Sequence, residues 1–159
     1  MGKDCRVVRF PGWQHTLGKK DSKALIRNSI CQNLYCKCDS HQVKRVFHNL
    51  ICNALEATNE HDTIHLGAKV DEGDDFVEVW VENTGSYIPE DLRKVIFDPF
   101  VTTKKSLGRL RRGGNGLGTS ICQKIIRKHG GTIACSSCKH RRVTRFTFTL
   151  PVLGASSTN

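Results

Sequence analysis

Gly114-Asn115-Gly116-Leu117-Gly118 stands directly before a run of apolar residues at helical spacing. Glycines at a helix start let a ligand approach the first backbone N–H groups. These have no intrahelical acceptor and bind anions. Just upstream, residues 104–112 read KKSLGRLRR and carry Lys104, Lys105, Arg109, Arg111 and Arg112. Backbone donors and cationic side chains together are what a triphosphate needs. Asn49 and Asn53 stand four residues apart, and on a helix they share a face. Magnesium takes oxygen ligands and keeps several waters, so one amide oxygen plus phosphate oxygens is a workable site. Asn53 is the candidate ligand. Asn83, in a polar loop leaving a strand, is a candidate acceptor for the exocyclic amine of an adenine. A GxGxG run by itself is common and here lacks the GK[ST] ending of a P-loop.

The elements that must hold these residues can be read from periodicity. Asp39 or Ser40 can cap a helix over about Ser40 to Glu56, in which Val43, Val46, Phe47, Leu50, Ile51, Ala54 and Leu55 form one apolar stripe. The two asparagines lie beside that stripe, at the edge of the core, an odd place for amides unless something polar binds there. Ile64, Leu66, Ala68 and Val70 alternate, as do Val77, Val79 and Val81, and Asp71-Glu72-Gly73-Asp74-Asp75 between them reads as a hairpin turn. Glu78 and Glu82 predict a solvated outer face. Pro89-Glu90-Asp91 opens a short helix. Residues 98–116 read as loop. The glycine-rich run then starts a helix that buries Leu117, Ile121, Cys122, Ile125 and Ile126 and ends at His129-Gly130-Gly131. Strands over about Thr132–Cys135 and Thr144–Leu150 close the chain. The expected fold class is α+β: a two-layer α/β sandwich, with a mixed β-sheet and helices on one face.

The bulk numbers fit one domain. The 159 residues are 38% hydrophobic and 25% charged, which suits a soluble globule with a modest core and excludes a disordered chain. No apolar run suits a membrane span or a secretory signal, so a cytoplasmic protein is expected. With 25 Lys and Arg against 15 Asp and Glu, the net charge of +10 suits polyanionic ligands. Nucleic acid is not expected, because no aromatic stacking pattern accompanies the basic run. Eight cysteines are too few for a disulfide scaffold and read as reduced thiols. Cys36-x-Cys38 and Cys135-x-x-Cys138 would hold zinc only if the two pairs met. Phe97 and Phe100 read as core. The organisation expected is an N-terminal segment of uncertain structure over 1–38, a nucleotide-binding domain over 39–152 and a flexible tail over 153–159.

Four separated blocks resemble the ATP-binding catalytic domain of sensor histidine kinases, within the Bergerat-fold superfamily of gyrase, heat-shock chaperones and mismatch-repair ATPases. His48 to Ala57 (HNLICNALEA) looks like the N box. Val81 to Pro89 (VENTGSYIP) looks like the first glycine box. Ile96 to Lys104 (IFDPFVTTK) looks like the F box. Gly114 to Ile121 (GNGLGTSI) looks like the second glycine box. The resemblance spans 39–152 in the family's order. It implies that Asn53 ligates Mg2+, that Asn49 and Lys104 act at the phosphates, and that 101–114 form a lid. It further implies that Gly114, Gly116, Leu117 and Gly118 cradle phosphate, and that Asn83, Gly85, Tyr87, Ile88, Phe100, Thr103 and Thr144 line the remainder of the nucleotide site.

The departures are informative. The first glycine box usually carries Asp where this chain has Asn83, so the hydrogen bond to adenine loses its charge assistance and Asn83→Asp is expected to tighten ADP. Tyr87 replaces a glycine, and Arg142 and Val143 replace the glycines usual near the last strand. Hydrolases of the superfamily place Glu four residues before the magnesium Asn. Asn49 stands there instead, and an amide is no general base. The resemblance therefore implies transfer of the γ-phosphoryl group of ATP to a histidine on a dimerisation domain, with a response regulator downstream, by a chain that is monomeric alone. No acceptor histidine in a helical setting is recognisable, so the chain reads as a catalytic domain alone. A serine kinase of the anti-sigma-factor type and a non-enzymatic nucleotide sensor are the alternatives.

Overall fold

The computed structural model describes residues 36, 38–70, 73, 75–101 and 116–152, together with the backbone of 6–7, 25–30 and 37. In chain order the elements are β1 (Arg6–Val7), β2 (Leu25–Ile30), β3 (Lys37–Cys38), α1 (Ser40–Ala57), β4 (Thr63–Val70), β5 (Phe76–Thr84), α2 (Glu90–Val95), α3 (Gly118–Lys128), β6 (Ile133–Cys138) and β7 (Val143–Pro151). Five strands form one mixed sheet in the order β2-β4-β5-β7-β6. β2 runs parallel to β4, and every other pair is antiparallel. β1 and β3 make a separate two-stranded ribbon. No helix among the described residues is long and apolar enough to cross a membrane.

Alternation decides the layers. Along β5, Val77, Val79, Val81 and Asn83 are buried while Phe76, Glu78, Trp80 and Glu82 are half-buried. Along β7, Thr144, Phe146, Phe148 and Leu150 point inward. Helices α1 and α3 cover that inner face. Val43, Val46, Phe47, Leu50, Ile51 and Ala54 of α1 are buried, and the Phe47 ring meets Phe148 edge-on at 5.2 Å. Cys122, Ile125 and Ile126 are the buried side of α3. Desolvation pushes the Cys122 thiol up to about 11 and the Cys36 thiol up to about 12, so both serve as small apolar residues.

Two contacts set the helix ends. The Asp39 carboxylate accepts from the backbone N–H groups of His41 and Gln42, capping α1. At the end of α3, His129 Nδ1 lies 2.7 Å from the Ile125 carbonyl and must donate to it. Its Nε2 accepts from the Asp39 N–H at 3.0 Å. A neutral imidazole thus ties the end of α3 to the start of α1.

The structure departs from expectation in three places. β2 was not legible in the N-terminal 38 residues, yet it pairs along six residues with β4. β6 runs to Cys138 rather than Cys135. The outer face of the sheet is half-covered rather than solvated. Trp80 lies across Gly67, where any Cβ would strike the indole. Arg145 sits 5.3 Å over the same ring and bonds Glu82 Oε2 at 2.7 Å. An aromatic on the outer side thus covers part of the face that the two glutamates marked as solvated, and their side chains stay 33% and 23% exposed. Cys36, Cys122, Cys135 and Cys138 are free thiols, and no cluster of metal-ligating side chains occurs among the described residues.

Candidate nucleotide-binding site

One end of the site is built where α1 meets the start of α3. Asn49 Nδ2 donates to the Gly118 carbonyl at 3.4 Å and lies 3.7 Å from Cys122 Sγ. This contact brings the N-box helix against the second glycine box. α3 begins without a side-chain cap and without an acid in its first turn. The hydroxyl of Thr119 donates to the Ile96 carbonyl at 2.6 Å and that of Ser120 to the Leu117 carbonyl at 2.9 Å. Both hydroxyls therefore turn away from the first-turn N–H groups, which present the positive end of an 11-residue helix. Asn53, one turn along α1 from Asn49, is half-buried, and its side chain has no hydrogen-bond partner among the described residues.

Gly116 is required by its geometry. Its φ is +69°, and a Cβ there would lie 2.7 Å from the Phe100 carbonyl carbon. The Phe100 N–H donates to the Gly116 carbonyl at 3.0 Å. The chain on either side of 102–115 is thereby drawn together beneath the start of α3. Phe100 has φ +68° and is 74% exposed, which corrects its reading as core. The Gly116 contact sets its backbone, and the left-handed conformation turns its ring outward. Phe97, by contrast, packs on the core and meets Phe146 edge-on at 6.2 Å.

The other end lies where β5 finishes beside the start of β7. Register places Asn83 opposite Thr144; they are 4% and 2% exposed. Asn83 Nδ2 donates to the Thr84 carbonyl at 2.9 Å and to Ser86 Oγ at 2.7 Å. Ser86 Oγ donates to Thr144 Oγ1 at 2.9 Å. Thr144 Oγ1 lies 3.0 Å from Ser137 Oγ, which donates to the Val143 carbonyl at 2.9 Å and accepts the Ile88 N–H at 3.0 Å. Because a carbonyl only accepts, the amide nitrogen of Asn83 must face Thr84, and Oδ1 is left to meet a ligand.

The loop after β5 is pinned from both sides. Gly85 has φ +82°, and a Cβ there would strike the Asp62 carboxylate. Asp62 Oδ1 accepts from Thr84 Oγ1 at 3.3 Å, and its Oδ2 from the Asn59 N–H at 2.7 Å. Arg142 Nη2 donates to the Gly85 carbonyl at 2.8 Å. Tyr87 stands at the rim, 37% exposed, and Ile88 packs against the core.

The structure thus joins Asn49, Gly116, Leu117 and Gly118 at one end, with Asn53 one turn further along α1. It joins Asn83, Gly85, Ile88 and Thr144 at the other. Thr103, Lys104 and Gly114 lie outside the described residues. Sequence reasoning missed Ser86 and Ser137 as members of the polar chain, and Arg142 as a clamp on the glycine loop. Ser86 stands inside a recognised box, so it had a signal. Ser137 had none, because only the β6–β7 register places it beside Thr144.

Comparison with known proteins gives the family. A family profile described as histidine kinase-, DNA gyrase B- and HSP90-like ATPase matches residues 38–154. The chain belongs to that family. It is 32% identical over 149 residues to the sensor histidine kinase WalK of Bacillus subtilis, covering 92% of this chain and 24% of WalK. It is 41% identical over 114 residues to the alginate biosynthesis sensor protein KinB of Pseudomonas aeruginosa, covering 72% of this chain and 18% of KinB. The chain therefore spans about a quarter or less of the length of these curated relatives. Among solved structures it is similar to the nucleotide-free catalytic domain of histidine kinase ThkA, at 33% identity and a TM-score of 0.70. That likeness covers 88% of this chain and 86% of the other. These likenesses define a histidine-kinase-type catalytic domain of the ATPase family, with an α+β fold.

Proposed function

We propose that the chain binds ATP with its base at Asn83 and Thr144 and its phosphates at the start of α3, and that it presents the γ-phosphoryl group to a histidine of a dimerisation domain. The nucleotide-binding unit is 39–152, extended at its sheet edge by β2. A response regulator is the downstream partner; a structure of ThkA in complex with the response regulator TrrA supports this class of partner. In the transfer, an imidazole nitrogen attacks the γ-phosphorus, and the bond to the β–γ bridging oxygen breaks. ADP leaves with the electron pair, and phosphohistidine is formed. The chain's own work is positioning and neutralisation of charge, which supply most of the catalysis in phosphoryl transfer.

Magnesium fits the residues present. Asn53 offers one unpartnered neutral amide, which suits an ion that keeps several waters and takes phosphate oxygens as its other ligands. When bound, the ion would screen the phosphate charge.

The observation that carries the reading is Asn49. Where a hydrolase needs a carboxylate to take a proton from water, this chain has an amide whose nitrogen donates to Gly118. Labelled ATP tests it. Alone, the chain is expected to hydrolyse ATP very slowly. With an added helical domain bearing an acceptor histidine, label is expected on that domain and is lost in acid. Fast steady hydrolysis by the chain alone, or acid-stable phosphoserine on a supplied protein, overturns the reading.

A further inference from the structure

The hydroxyls at the β5–β7 end have a direction. The Val143 carbonyl can only accept, so the Ser137 proton is committed to it. Thr144 must then donate to Ser137, and its oxygen is left to accept from Ser86. Ser86, having given its proton to Thr144, can only accept from Asn83 Nδ2. The second lone pair of Ser137 Oγ is taken by the Ile88 N–H. Each hydroxyl in the series donates once and accepts at least once, and the series runs one way, from an amide to a carbonyl. Reversing it would leave the Ser137 and Val143 oxygens 2.9 Å apart with no proton between them, which is costly.

We propose that Ser86, Thr144 and Ser137 act as a positioning chain that holds Asn83 as a neutral acceptor for a 6-aminopurine and makes a carboxylate at that position a poorer ligand. This rests on the reading of the site as nucleotide-binding. It reverses the expectation that a carboxylate, as a charge-assisted acceptor, tightens ADP. A carboxylate oxygen in place of Nδ2 would face the Thr84 carbonyl at 2.9 Å and the Ser86 oxygen at 2.7 Å, with no proton between either pair. The residue the family usually carries and the hydroxyl chain of this protein are thus alternatives.

Affinities of the full chain for ADP and inosine diphosphate, measured by calorimetry with Mg2+, test the proposal. The unmodified chain is expected to bind ADP at least about tenfold more tightly, because the 6-oxo group of inosine would oppose Oδ1. Asn83→Asp is expected to weaken ADP about tenfold. In the Ser137→Ala background the Thr144 proton is free to turn to Ser86 and the Ser86 proton to the carboxylate, so the same substitution should cost about threefold or less, a coupling read from the double-mutant cycle. Ser137→Thr keeps the hydroxyl and should restore the full penalty. Tighter ADP after Asn83→Asp, or an equal penalty in both backgrounds, overturns the positioning chain. If the Asn83→Asp chain fails to fold, equal binding of ADP and inosine diphosphate by the unmodified chain overturns it alone. Binding of neither diphosphate overturns the nucleotide reading beneath it.

Discussion

The two ends of the site are built on opposite principles. At the β5–β7 end, Asn83, Ser86, Thr144 and Ser137 satisfy one another, and Asp62 and Arg142 pin the glycine loop beside them. At the α1–α3 end, the first turn of α3 is uncapped and the Asn53 amide has no partner among the described residues. On the proposed reading, a network closed except for Asn83 Oδ1 needs little further ordering when the base arrives. An open one leaves donors and acceptors whose partners the ligand must bring. On that proposed reading, the base end is a preformed reader, and the phosphate end is completed by what it binds.

Gly116→Val should have the largest effect, because it attacks the joint on which the open end is built. A β-branched residue would have to hold φ +69° while its Cβ pressed on the Phe100 backbone. A loss of about 1–3 kcal/mol is expected from the backbone alone, seen as a lower urea midpoint, with ATP affinity falling as well. An unchanged midpoint would mean that Phe100 and Gly116 separate at little cost, and the open end would then be looser than its contacts suggest.

Asn53→Ala sharpens the comparison. It removes the candidate magnesium ligand while leaving the closed end untouched. ATP in Mg2+ should weaken by about tenfold, roughly 1.4 kcal/mol, and adenosine hardly at all. Calorimetry that finds equal losses for the two ligands would remove the division of labour between the ends.

The smallest effect should come from the cap that steadies α1. The Asp39 carboxyl is held below its ordinary range, chiefly by the Gln42 N–H and further by His41 and the Gln42 side chain. A depressed folded-state value means that the cap stabilises the fold fully above the ordinary carboxylate range, and that this gain fades as pH falls through the folded value. Thermal midpoints of the native chain and of Asp39→Ala should therefore differ at neutral pH and converge in acid. A gap that persists at low pH would assign the effect to lost helix contacts rather than to the ionised cap.

Local repetition made much of this protein legible in its sequence. The stripe from Val43 to Ala54 and the alternation from Val77 to Val81 each place a face within one or two turns or pleats, so α1 and β5 were readable without neighbours. The boxes around Asn49, Asn83 and Gly116 were readable because close backbone approach and anion binding demand particular residues at short spacing. Tertiary structure alone decided the rest. Leu25–Ile30 has no strand signal of its own and becomes a strand by parallel pairing with β4, far along the chain. Gly67 is glycine because Trp80 of the next strand lies over it. Ser137 joins the hydroxyl chain because an antiparallel register sets it opposite Thr144 and a hydroxyl needs an acceptor. Periodicity reports what a segment does with its own neighbours. The direction of a hydrogen-bond chain depends on groups that only folding brings within 3 Å of one another.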